Sequence, residues 1–321
     1  MNRRGTVAQT YIAMIILAAV FMAAAGWLRP VFRPDANVGL SLPSPNLWPV
    51  MPLWSGIING VIIIAASLWA WFLNKRYNFI KNSDYTLPAL FVLFVGSNPL
   101  DSGFLCTSTL LLVFWMIAFS VLFGCYRQRN ATQELFLVAT FLSVGSMVDY
   151  AFLTAAPMVI IAAVMLKAMR FREVIAFLLG LAAPYWIGLG FGLLKLSDFH
   201  LPQFYNFTNG PLLPAELLTV GAGLGILWLS AAVCAISTMV KLYAGNPRPR
   251  TFNYTIYLLS VYCAVCMIVD SGHLAAYLAT AYFSIAVMLT NFFTLNNVYR
   301  TSLWIWIMAG LAALYWGLIL F

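Results

Sequence analysis

The sequence predicts an all-α fold: a polytopic transmembrane helical bundle, one domain over residues 1–321. Three observations predict it. First, 63% of the 321 residues are hydrophobic and only 8% are charged, where a soluble domain is about 45–50% apolar and about 25% charged. No water-soluble fold of this length hides so much apolar surface. Second, the apolar residues fall into runs that can cross about 30 Å of hydrocarbon. Third, lysine and arginine recur between alternate runs, as the positive-inside rule requires. This composition excludes a soluble globular enzyme, a disordered chain and a nucleic-acid-binding module.

Taken in order, the runs give eleven spans: 7–28, 53–73, 86–96, 105–126, 135–148, 151–169, 174–195, 214–243, 252–269, 273–293 and 301–321. The third and fifth are short, and the count is ten if one of these hairpins is re-entrant. Arg3 and Arg4 before the first run resemble a signal-peptide flank, with Ala23-Ala24-Ala25 as a cleavable stretch. The run is longer than a usual signal core and more spans follow, so the first segment reads as an uncleaved span. Pro184 should kink the seventh span. Glycines at 188, 190 and 192, and at 221, 223 and 225, make tracks along which helices can approach.

With the N-terminus in the cytoplasm, 14 of the 17 basic residues lie inside, and only Arg29, Arg33 and Lys195 lie outside. Positive charge spread over six inner flanks meets an anionic leaflet rather than nucleic acid. The carboxylates lean the other way. Asp35, Asp101, Asp149, Asp198, Glu216 and Asp270 face out, and only Asp84, Glu134 and Glu173 face in. Acids contribute little to orientation, so this bias needs its own account.

Three outer hairpins resemble one another. They read Val95-Gly-Ser-Asn-Pro-Leu-Asp101-Ser-Gly-Phe-Leu105, Val144-Gly-Ser-Met-Val-Asp149-Tyr-Ala-Phe-Leu153 and Met267-Ile-Val-Asp270-Ser-Gly-His-Leu274. Each ends an outward span, places an aspartate at the turn and starts an inward span, which makes a parallel repeat. Two readings stand side by side. Aspartate before a helix caps it and meets its dipole. Alternatively, Asp101 and Asp149 are catalytic carboxylates that converge in an outer cavity with Asp270, there to bind a metal, take a proton or meet a substrate hydroxyl.

The longest outer loop, 29–52, holds Arg29, Arg33 and Asp35. The arginines suit a lipid phosphate or head group, unless Arg33 simply pairs with Asp35. A second outer loop, 196–213, holds Asp198 and His200. His200 and His273 are the only histidines, both outside, and are candidates with Asp270 for substrate binding. Nothing in the spacing calls for a metal or another cofactor. The five cysteines, Cys106, Cys125, Cys234, Cys263 and Cys266, read as small packing residues. No nucleotide-binding loop, nucleophile elbow or zinc-protease motif is present, and the inner loops are too short for a soluble energy-converting domain.

Around Lys167-Ala-Met-Arg170-Phe-Arg172-Glu173, with Gly180-Leu-Ala-Ala-Pro184, Asn98-Pro99 and Pro157, the chain resembles an uncharacterised family of polytopic inner-membrane proteins of Bacteroidota. That likeness covers about residues 85–195. It implies a multi-pass location in the bacterial inner membrane and no specific activity. Asp35 in the first outer loop and Asp101 leading an inward span give a more distant resemblance to polytopic glycosyltransferases that use polyprenyl-phosphate sugars. Here that resemblance implies Asp35 as general base on the acceptor and Arg29 with Arg33 on the lipid phosphate. The loop is shorter than that fold usually shows, and Asp35 stands alone rather than in an acidic pair. The sequence thus points to a protein that handles a lipid-linked substrate at the outer face, with membrane lipid as its partner. Two alternatives remain: a gradient-coupled transporter or lipid-binding subunit, and a non-catalytic membrane scaffold.

Overall fold

A computed structural model describes residues 3–28, 39–81, 85–195, 197, 199, 214–243, 246–295 and 301–320. Their regular structure is all helical, with no strand among the described residues. The α-helices, in chain order, are α1 (Arg3–Leu28), α2 (Pro52–Tyr77), α3 (Thr86–Gly96), α4 (Pro99–Ser102), α5 (Thr107–Leu122), α6 (Thr132–Val148), α7 (Ala151–Thr154), α8 (Ala156–Met165), α9 (Phe171–Gly190), α10 (Pro214–Tyr243), α11 (Pro247–Val269), α12 (Leu278–Leu295) and α13 (Thr301–Leu320). A 3-10 segment, Ser271–Tyr277, joins α11 to α12.

Five segments are long and apolar enough to cross a membrane: Pro52–Tyr77, Phe171–Gly190, Leu218–Lys241, Pro247–Val269 and Ser271–Leu295. Their outer faces carry large apolar side chains turned away from the protein, such as Phe72, Leu179, Trp186 and Ile226. In lipid such a surface carries no penalty. In water it would be a patch far beyond what a monomer tolerates.

The short helix α3 sits inside. At 11 residues, α3 rises only about 16 Å, too little to cross the hydrocarbon alone. All of its residues are buried, packed between α1, α2 and α12. The segment Ser271–Leu295 is likewise mostly buried, so α12 and α3 form the centre of the bundle. A helix surrounded by protein need not match the bilayer thickness.

Two expected spans are broken. The run 151–169 is α7 followed by α8, because Pro157 has no N–H and stands in the first turn of a new helix. The run 273–293 begins with the 3-10 segment, in which His273 departs from helical geometry. α9 runs through Pro184 as one helix. The turn there is tied across to α6, where the Ser143 hydroxyl donates to the Leu181 carbonyl at 2.7 Å. The same two helices meet closely at Gly180, where an added Cβ would lie 2.5 Å from the Phe136 carbonyl oxygen.

Candidate functional site

The three hairpins are α3–α4–α5, α6–α7–α8 and α11 through the 3-10 segment to α12. Two of their three aspartates meet. Asp149 follows α6 in extended geometry and is fully buried. One of its carboxylate oxygens accepts from the Ala151 amide at 2.8 Å. The other accepts from the Thr107 hydroxyl at 2.7 Å and faces Nε2 of His273 at 3.3 Å. Asp149 therefore does cap α7, but with half of its carboxylate only. The other half joins a cluster.

Asp270 closes the cluster from the far side. Its Oδ2 accepts from the Tyr150 phenol in a very short hydrogen bond and lies 3.6 Å from Nδ1 of His273, beyond hydrogen-bond range. It makes no side-chain cap to the segment that follows, so the capping expectation fails there. The imidazole stands between two carboxylates, one toward each ring nitrogen, and both acids and the histidine are buried. Burial and the neighbouring Asp270 push the Tyr150 phenol well up, so it stays a donor. Around the imidazole, Tyr150 lies with ring centroids 5.2 Å away and Tyr277 6.5 Å away. Thr154 then links to both Tyr262 and Tyr277 at 2.9 and 3.2 Å.

Asp101 does not join this cluster. It lies inside α4, whose cap is Asn98, the acceptor of the Leu100 amide at 3.1 Å. The Cys106 thiol donates to Oδ1 of Asp101 at 3.2 Å, while its Oδ2 is buried with no hydrogen-bond partner among the described residues. Burial pushes the carboxyl up to about 6, against the pull of Cys106 and Ser108. Cys106 is thus a hydrogen-bonding group and not only a packing residue.

The two polar centres share one frame, the run Cys106-Thr107-Ser108-Thr109 at the start of α5. Cys106 holds Asp101 and Thr107 holds Asp149. Ser108 accepts from the Ala279 amide at 2.7 Å, and Thr109 donates to Asn59 at 2.6 Å. Asn59 in turn donates to the Asp101 carbonyl at 2.8 Å. Sequence reasoning missed this run, as it missed Tyr150 and Asn59. The available signal was a block of four small polar or sulfur residues opening an apolar span.

Of the remaining candidates, Arg29, Arg33, Asp35 and His200 lie outside the described residues. The loop of Arg29, Arg33 and Asp35 is described again from Gly39 and docks beside Asp149, with the Ser41 and Leu42 amides donating to the Met147 carbonyl at 3.2 and 2.8 Å. An apolar groove of about 490 Å³ opens between α1 and α2, lined by Met22, Gly56, Ile57, Gly60 and Ile64 among others, and reaches Gly103. Gly103 is two residues from Asp101.

Among the described residues, no group of three or more His, Cys, Asp or Glu side chains is arranged to hold a metal ion. The imidazole explains this locally, since it keeps Asp149 and Asp270 on opposite nitrogens. No family model, curated protein or solved structure matches the chain.

Proposed function

We propose that this is a multi-pass protein of the bacterial inner membrane, with eleven spans and a cytoplasmic N-terminus, that handles a lipid-linked substrate at its outer face. The observation that carries the reading is the groove between α1 and α2, which reaches Gly103, two residues along the chain from the buried Asp101. Its volume is that of a ligand pocket, and its walls suit a hydrocarbon chain. The loop that joins these same two helices holds Arg29, Arg33 and Asp35.

Lipid tails are as apolar as leucine, so the groove gains no hydrophobic free energy from a chain already in the bilayer. Selectivity must come from the head group. In this reading Arg29 and Arg33 hold a phosphate, Asp35 is the base, and Asp101 meets the polar end of the substrate.

The test is native mass spectrometry of the detergent-purified protein. Gly60 has open space around an added Cβ, so Gly60→Leu fills the groove without a clash at its first atom. Gly310→Leu, exposed and equally open, is the control. A retained polyprenyl phosphate that is lost in Gly60→Leu and in Arg29→Ala/Arg33→Ala, but kept in Gly310→Leu, supports the reading. Ordinary phospholipid only, unchanged by all three, overturns it and leaves a carrier or a scaffold. A gradient-coupled carrier is the second reading, favoured by the buried Asp149–His273–Asp270 cluster.

A further inference from the structure

We propose that Asp149, His273 and Asp270 form a binding site for one exchangeable proton, and that its occupancy sets how two hairpins are tied together. This does not rest on the lipid reading. Among the described residues, His273 to Asp149 at 3.3 Å, Tyr150 to Asp270, and Thr154 to Tyr262 and Tyr277 tie the α6–α7 hairpin to the α11–α12 hairpin, and the first two involve the groups that share the proton.

An imidazolium has two N–H donors, so it serves both carboxylates. A neutral imidazole has one N–H and one lone pair. If the N–H is on Nδ1, Nε2 turns a lone pair toward Asp149 and the first tie is lost. If it is on Nε2, that tie holds and Nδ1 turns a lone pair toward Asp270. One proton added to a ring nitrogen, with no other bond made or broken, therefore changes the links between two helical hairpins.

The groups around the imidazole are consistent with a proton site. Asp149 and Tyr150 face it from the α6–α7 hairpin, Asp270 from the end of α11, and Tyr277 from its own segment. Tyr262 and Cys266 of α11 stand behind Tyr277. Thr107 of α5 holds Asp149. Two carboxylates facing one imidazole give each of its ring nitrogens a neighbour that can take a hydrogen bond when the ring is protonated.

The experiment is a pH titration of the imidazole by nuclear magnetic resonance on the full chain, histidine-labelled and held in detergent micelles. With only two histidines in the chain, His273→Gln assigns the signal by its loss, or His200→Gln by what remains. The expected result is a reversible titration in the wild type. Asp149→Asn weakens proton affinity by about 10- to 1,000-fold, the effect of removing an opposite charge within a few ångströms. Thr107→Val removes a hydrogen bond to the same oxygen while keeping the charge, and leaves the affinity within about threefold. If Asp149→Asn does not fold, Asp270→Asn is read in its place, with the same expected sign. An imidazole signal that stays fixed between about pH 5 and 8, or that is the same in the carboxylate variants, overturns the proposal and makes the cluster a fixed clamp.

Discussion

Asp101 is a carboxylate with one oxygen bonded to a thiol and the other bonded to nothing among the described residues. Replacing it with asparagine keeps an acceptor for Cys106 and removes the ionisation. Its carboxyl is raised from 3.8 to about 6, which corresponds to about 3 kcal/mol between the two protonation states. The sign follows from linkage. A folded-state value above the unfolded one contributes stability that is fully present below the unfolded value and is lost as pH rises through about 6. Between about pH 4 and about pH 8, the wild type should therefore lose about 3 kcal/mol relative to Asp101→Asn. Groups common to both proteins cancel in this difference. The assay is chemical unfolding in detergent followed by tryptophan fluorescence, since Trp115 is fully buried until the bundle opens. Parallel pH profiles for the two proteins would refute the argument, because they would mean that Asp101 keeps the same charge folded and unfolded.

Gly180→Ala should cost about 1–3 kcal/mol through overpacking, because the new Cβ falls 2.5 Å from the Phe136 carbonyl and 2.8 Å from Ala139 Cβ. Gly190→Ala on the same helix, with nothing within 4 Å, should leave the same unfolding assay unchanged. Gly39→Ala should release the outer loop, since its Cβ would lie 2.7 Å from the Val148 carbonyl. The readout is faster hydrogen exchange at the Leu42 amide. Asn59→Leu should cost about 1–3 kcal/mol by stranding the Thr109 hydroxyl and the Asp101 carbonyl. Tyr150→Phe should cost a similar amount by removing a donor from the buried Asp270. In the Asp270→Asn background that loss should shrink, and additive losses in this double-mutant cycle would show that the pair is not coupled.

The helical, membrane-compatible architecture was legible in composition and run length. The breaks inside the runs were only partly so. Pro157 carried its signal openly, since a proline without an N–H starts a helix more easily than it continues one. Pro184 does not end α9, which is pinned to α6 by Ser143 and by the close approach at Gly180. Neither tie is visible from α9 alone. The aspartates were legible as hairpin residues, but not their fates. Asp149 and Asp270 are brought together over a separation of about 120 residues by packing of three hairpins, which local pattern cannot report. Asp101 had the same Asp-Ser-Gly sequence as Asp270, yet it entered a short helix because Asn98-Pro99 starts a turn just before it.

The placement of polarity bears on why the cluster exists. A chain with 8% charged residues commits Asp101, Asp149, Asp270 and His273, all buried, to the hairpin turns around the start of α5. Holding hairpins together does not require ionisable groups. The opposite part of the core does it with neutral amides, where Asn291 donates to Asn253 at 2.8 Å and Asn253 donates to the Phe79 carbonyl at 2.6 Å. Neutral amides avoid the desolvation of a charge. An acid–imidazole–acid arrangement costs more to bury than an amide ladder, and the one property it adds is that it can gain or lose a proton. That difference between the two networks favours a site that changes state over one that only clamps.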